Sequence, residues 1–235
     1  MLKGAKIKMK ALIYKELKLA MHPLCYVFIC LFPIMILIPS YPLGIGFIYI
    51  LSCYPILFLG ANKGQQSNDL LYSTLLPVRK KDIVLARIFT VIFMQLGFIL
   101  IQSALYPLAI LINNSIKVAS DDPTKLTIPG LGLNSFVLLL AVAIVGYAIA
   151  DLIFFPIYYK HGKSIVMSTL LTIFGFVIYI GLFTIGLPYI PGLEFLNNLH
   201  VGIQFAALGG AILISLGLHV IVYRVSAKRL EKVDF

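Results

Sequence analysis

Residues 132–157 read GLNSFVLLLAVAIVGYAIADLIFFPI, an unbroken apolar run in which Asp151 is the single formal charge. An α-helix rises about 1.5 Å per residue, so roughly 20 apolar residues cross about 30 Å of hydrocarbon. Five more stretches of this kind, 24–41, 43–61, 84–112, 165–187 and 201–223, bring the predicted spans to six. Hydrophobic residues make up 60% of the chain, charged residues 12%, and mean hydropathy is +1.00. A water-soluble fold of 235 residues could not hide that much apolar surface. The expected fold is all-α and polytopic, with six transmembrane helices in a single domain, 1–235.

The charges orient the spans. Of the nineteen Lys and Arg residues only Lys117 and Lys125 fall outside the connections that one topology places together. Lys3 to Lys18 precede the first span, Lys63 to Arg87 surround the second connection, Lys160 and Lys163 the fourth, and Arg224 to Lys232 follow the last. Basic residues collect on the cytoplasmic side, which predicts cytoplasmic termini and a multi-pass protein of the cell membrane. The net charge of +10 therefore serves orientation and attraction to anionic lipid, with no nucleic acid as partner.

Cys25, Cys30 and Cys53 lie inside predicted spans, where a thiol is a small apolar group, so neither disulfide nor metal is expected. The lysine-rich N-terminus lacks a small-residue cleavage site after the first apolar run, so that run is predicted to stay as an anchor. Upstream of it, residues 8–21 put Met9, Leu12, Ile13, Leu17 and Ala20 on one helical face and Lys8, Lys15 and Lys18 toward the other. That spacing predicts an amphipathic interfacial helix, an elbow ahead of the first span. Pro33 should kink that span, and Pro55, Pro107 and Pro156 fall in later ones.

The most informative polar segment is 62–82, NKGQQSNDLLYSTLLPVRKKD. Ser67, Asn68 or Asp69 can cap a short helix running through Leu70, Leu71, Tyr72, Ser73, Thr74 and Leu75 until Pro77 stops it. Such a helix could dock a partner, rest on the bilayer, or receive the protein's own terminus.

Asn68-Asp69, then Leu75-Leu76-Pro77-Val78-Arg79, then Ile83-Val84-Leu85-Ala86-Arg87 resembles the cytoplasmic loop of small bacterial ABC exporter permeases of the type-II class. Half-size permeases of phenol-soluble-modulin and lantibiotic-immunity exporters are especially similar. Lys80-Lys81 after Arg79, and the lack of a glutamate in the loop helix, depart from that pattern. The resemblance implies a basic elbow, six helices, and a coupling helix in which Asn68, Asp69, Leu70, Leu71, Tyr72, Thr74, Leu75 and Leu76 seat in a separate cytoplasmic ABC ATPase. The 158–163 turn is a second candidate contact. ATP and magnesium would belong to that partner, and none is expected on this chain. Cargo would be an amphipathic peptide or hydrophobic compound.

The chain itself has no nucleotide site. Gly162-Lys163-Ser164 has Ile157 where a Walker A loop needs glycine, and the run before it is a predicted membrane helix instead of a strand. His22, His161, His200 and His219 are scattered without HExxH or nucleophile spacing, and each reads as an interfacial or packing residue, so no catalytic residue is assigned. Asp151 reads as a carboxylate near the cytoplasmic boundary, paired with a neighbour such as Lys160; a proton relay is the other reading. Gln95, Gln102 and Gln204 are candidates for hydrogen bonds between helices.

Between the fifth and sixth spans, residues 188–200 are too apolar for a free loop and too broken to cross, with Leu193, Leu196 and Leu199 on one helical face. By resemblance, Leu193, Phe195, Leu196 and Leu199 would form an extracellular gate; a surface helix capping the bundle is the alternative. Six spans present too little wall to enclose a large substrate, which predicts a homodimer or a heterodimer with a related permease. Ala206, Gly209, Gly210 and Gly175 would serve close packing, between subunits or within one. The competing function is a membrane anchor or scaffold that recruits a cytoplasmic partner and transports nothing.

Overall fold

The computed structural model describes residues 2–20, 23–37, 78–119, 136–161, 165–182 and 200–232. Among these, every regular element is helical: α1 (Leu2–Lys15), α2 (Pro23–Ile34), α3 (Lys80–Ala119), α4 (Phe136–His161), α5 (Ile165–Gly181) and α6 (Val201–Glu231). A π-helical turn, Glu16–Ala20, continues α1, and a 3₁₀ turn, Met35–Leu37, continues α2. The predicted second span, 43–61, lies outside the described residues.

Local chemistry accounts for the helix ends. Pro23 opens α2, where its missing N–H removes no intrahelical bond and its fixed φ suits the first turn. Pro33 lies two residues before the change to 3₁₀ geometry, as loss of a backbone donor predicts. Asp82 sits in the first turn of α3, favourable to the positive end of the helix dipole, and pairs with Arg79 at 3.1 Å. The His200 ring caps α6, its Nδ1 accepting from the Gly202 amide at 3.2 Å.

Two boundaries differ from the sequence expectation. α3 starts at Lys80, ahead of the predicted span 84–112, so Lys80, Lys81 and Asp82, read as part of the charged connection, are helical positions, and Arg87 stands two turns inside the helix. α6 runs to Glu231, so Arg224, Lys228 and Arg229 are helical positions and not a tail. In both cases the apolar pattern ended before the backbone did, because hydropathy reports the hydrocarbon-facing length and helix propensity carries the chain further.

Three described helices, within Lys80–Ile112, Phe136–Lys160 and Val201–Glu231, are long and apolar enough to cross a membrane. The bent pair Met9–Lys18 and Pro23–Leu37, meeting at 77°, would make a fourth, and α5 is a shorter apolar helix. Leu100, Phe93, Leu213 and Phe174 are among many large apolar side chains left exposed, a surface that water would not tolerate and lipid would.

α4 is the central helix. It packs closely against α5 and α6 and meets α3 through side chains, and one face carries Leu139, Ala143, Tyr147, Asp151, Phe154 and Tyr158, all buried at three- and four-residue spacing. α3 runs antiparallel to α4 while α6 runs parallel to it, as the pairs Gln95–Asp151, Arg87–Tyr158, Asp151–His219 and Pro156–Arg229 require. Lipid tails are as apolar as leucine, so close packing and interhelical hydrogen bonds hold such helices together. α5 supplies close packing: Ser168, Thr172 and Phe176 are buried one turn apart, and Phe176 stacks on Tyr147 with ring centroids 5.5 Å apart.

Two glycines set the α4–α5 distance. A Cβ on Gly146 would lie 2.8 Å from Phe176 Cε2 and 3.0 Å from Tyr179 Cε1, and one on Gly175 would lie 2.6 Å from Ile153 Cδ1. Gly175 therefore serves packing within the subunit. Gly209 and Gly210 meet nothing within 4 Å. Gly146→Val should lower the thermal midpoint of the purified protein, since overpacking costs about 1–3 kcal/mol and two aromatic rings cannot rotate away. Gly175→Ala should cost less, because the obstructing atom is the far end of an isoleucine, and Gly209→Ala should leave the midpoint unchanged or raised.

Candidate functional site: two polar layers in the bundle

The predicted coupling residues Asn68, Asp69, Leu70, Leu71, Tyr72, Thr74, Leu75 and Leu76, and the predicted gate residues Leu193, Phe195, Leu196 and Leu199, lie outside the described residues. What the described residues bring together is a pair of polar layers inside an otherwise apolar bundle.

One layer lies where α1, α3 and α4 meet. The π-helical turn at the end of α1 carries Glu16, one turn beyond Leu12 on the side buried against the bundle. Arg87 of α3 is only 2% exposed. Its Nε donates to Glu16 Oε2 at 3.1 Å, and its Nη1 donates to the Tyr158 hydroxyl at 2.9 Å. The guanidinium also stands 5.9 Å from the centre of the Tyr158 ring, within cation–π range. The second Glu16 oxygen lies 3.4 Å from Lys15 Nζ. One carboxylate thus answers two cations, and the guanidinium is spread over a carboxylate, a hydroxyl and an aromatic face. The Tyr26 hydroxyl donates to the Leu17 carbonyl at 2.6 Å, fastening the start of α2 to the same turn.

The second layer is about two turns away on both helices, roughly 11 Å by helical rise. Asp151 of α4 is fully buried, and its Oδ2 accepts from Gln95 Nε2 of α3 at 3.1 Å. The same oxygen lies 3.1 Å from His219 Nε2 of α6, while His219 Nδ1 is 2.7 Å from the Ser215 carbonyl oxygen. Toward the basic end of the bundle, Arg229 Nη1 donates to the Pro156 carbonyl at 2.6 Å, a further tie between α6 and α4.

The structure corrects two sequence expectations here. Asp151 pairs with His219 and Gln95, not with Lys160, which is exposed. Lys160 comes nine residues after Asp151, about two and a half turns, so the carboxylate faces α3 and α6 while Lys160 points out of the bundle. His219, expected to be only a packing or interfacial residue, is a polar partner in the interior. Gln95 makes the hydrogen bond between helices expected of it; Gln102 is buried, and its Oε1 has no partner among the described residues.

Glu16 and Arg87 were legible only in part. Arg87 falls within the predicted span 84–112, where a basic residue asks for a partner. Glu16 interrupts the apolar side of the elbow between Leu12 and Leu17, yet nothing in the chain says that residues so far apart meet.

Removing one member of a buried ion pair strands the other, at about 3–5 kcal/mol, whereas replacing both is far milder. Arg87→Leu should therefore sharply lower the thermal midpoint of the purified protein, and Glu16→Leu with Arg87→Leu should recover most of the loss. If the double variant melts no higher than Arg87→Leu alone, the two residues are not energetically coupled.

The chain matches the family model described as ABC-2 family transporter protein over residues 11–231. No curated protein and no solved structure matches it. The match takes in Glu16, both polar layers and all of α2 to α6, so the chain belongs to the ABC-2 transporter family as a membrane permease component, in a family whose members are generally non-catalytic and associate with an ABC ATPase.

Proposed function

We propose that this chain is the permease of a bacterial ABC exporter that moves an amphipathic peptide or hydrophobic compound out of the cell, energised by a separate ATPase that binds ATP and magnesium. Both termini and segment 62–82 face the cytoplasm in this reading, and residues 68–76 form the coupling helix that seats in the ATPase. The chain crosses the membrane six times and works as a pair with itself or a related permease, with Leu193, Phe195, Leu196 and Leu199 as the extracellular gate.

The observation that carries the reading is the Arg87 junction. α3 follows segment 62–82 directly, and in its second turn Arg87 grips Glu16 of the elbow and Tyr158 of α4. A displacement delivered to residues 68–76 would reach α3 first. It could not stay there, because a buried guanidinium separated from its carboxylate is too costly to leave unpaired. The elbow and the end of α4 would move with it, so a cytoplasmic push becomes a concerted tilt of three helices. α4 in turn holds α5 through Gly146 and α6 through Asp151, which extends the movement across the bundle.

The scaffold alternative accounts for the docking segment but gives the Arg87 junction no mechanical task. Co-purification separates the two: the exporter requires a bound ATPase whose hydrolysis rate changes on reconstitution with this chain. Leu70→Glu or Leu75→Glu should abolish that co-purification while the permease still inserts. Arg87→Gln should keep the ATPase bound and reduce cargo efflux from proteoliposomes by about tenfold or more, the equivalent of roughly 1.4 kcal/mol of lost coupling. A partner without nucleotide-binding signatures would favour the scaffold.

A further inference from the structure

α6 leaves more of its surface open than the other long helices do. Its apolar window is 17% buried, against 56% in α3 and in α4. His219, which meets Asp151 Oδ2 at 3.1 Å, shares one side of the helix with the buried Val222, Ser226 and Leu230. The opposite side carries Leu213, Gly217, Val220, Arg224 and Lys228, all exposed, and at 3.6 residues per turn they fall within an arc of about 80°.

Three properties coincide on that strip. From Leu213 to Arg224 the helix rises roughly 16 Å, close to the roughly 15 Å of hydrocarbon in one leaflet. Within it, a Cβ on Gly217 would meet nothing within 4 Å, so the strip is notched between Leu213 and Val220. At its basic end Arg224 and Lys228 stand about one turn apart, and neither has an ion pair among the described residues. Glu231, the single acid in α6, lies about 10 Å beyond Arg224 and is followed by Lys232, so this end keeps a net positive charge. The exposed strip of α3 is different: Phe89, Phe93, Leu96 and Leu100 make it bulky throughout, and Arg79 ahead of it is paired with Asp82.

We propose that this strip of α6 binds an anionic phospholipid, with an acyl chain lying in the Gly217 notch and the phosphate held by Arg224 and Lys228. The apolar length and the two cations match the two parts of one such molecule, whereas a free phosphate would use the cations alone. Small residues admit close approach to the helix backbone, and guanidinium and ammonium groups at the hydrocarbon boundary reach toward phosphate on their apolar stems. A second copy of the chain fits less well. Two-fold pairing through this strip would bring the same patch of each copy together, cations against cations, and like charges repel. The headgroup would sit beside the tie between Arg229 and the Pro156 carbonyl, so the bound lipid sets the depth at which α4 and α6 lie in the membrane. The site requires that α6 crosses a membrane and is independent of what the chain transports.

The test is native mass spectrometry of the full purified chain, titrated with phosphatidylglycerol or with phosphatidylcholine of the same acyl length. Phosphatidylglycerol should bind more tightly, and Arg224→Gln with Lys228→Gln should weaken it about 25-fold, roughly fivefold for each cation near an anionic headgroup. Lys10→Gln with Lys18→Gln removes the same charge from other exposed positions and should leave the affinity unchanged. Arg224→Lys with Lys228→Arg keeps both charges and should retain most of it. Gly217→Leu fills the notch without touching the cations and should weaken phosphatidylglycerol severalfold. Equal binding of the two lipids, equal losses in the two glutamine pairs, or full competition by inorganic phosphate would overturn the proposal. So would a change from paired to single copies in Gly217→Leu, which would make the strip a subunit interface.

Discussion

A guanidinium stays in the interior of this bundle because groups from two other helices close around it. Arg87 is held by the Glu16 carboxylate, by the Tyr158 hydroxyl and by the face of the Tyr158 ring. Moving an unpaired charge out of water costs far more than any single packing contact returns. The positions of α1, α3 and α4 at this level are thus fixed together, and no one of them can shift alone. A buried ion pair is poor evidence of great stability but good evidence of a unique arrangement, and here it selects how the elbow meets the bundle.

The rest of the bundle is assembled with weaker forces that depend on distance. Interhelical hydrogen bonds in membranes average about 0.6 kcal/mol, so Gln95–Asp151 and Arg229–Pro156 specify register more than they add stability. Close approach does the remainder. Gly146 lets α5 come near enough for Phe176 to stack on Tyr147, and Ser168 and Thr172 line the same buried face without needing water. α6 is different in kind: it is fastened to α4 through polar contacts at its basic half, while Val201, Ile203 and Phe205 near its start are exposed.

Hydropathy and charge made the helices of the described region legible, because apolar length is a property of the chain itself. They made boundaries less so: Lys80 and Arg229 were placed outside the predicted spans and stand instead in helices, since hydropathy falls at a charged residue whether or not the backbone unwinds. Gln95 was legible as a residue that bonds between helices. Asp151 was legible as a charge in need of a partner, but the partner was sought at the nearest basic residue in sequence, and a helix turns that neighbour away. Glu16 was hidden by company, one carboxylate among lysines whose sum reads as a basic elbow.

By itself, then, the order of residues pointed to an all-helical membrane protein, and the loop motif to the transporter family that the match over residues 11–231 establishes. Both follow from local quantities, since transfer of apolar side chains, charge position and short motifs require no knowledge of what lies across the bundle. Only the tertiary structure decided that Glu16 meets Arg87 across 71 positions and that Asp151 meets His219 across 68. Pairing of this kind depends on the rotation and register of whole helices, and those are settled by the cost of leaving any buried charge without its partner.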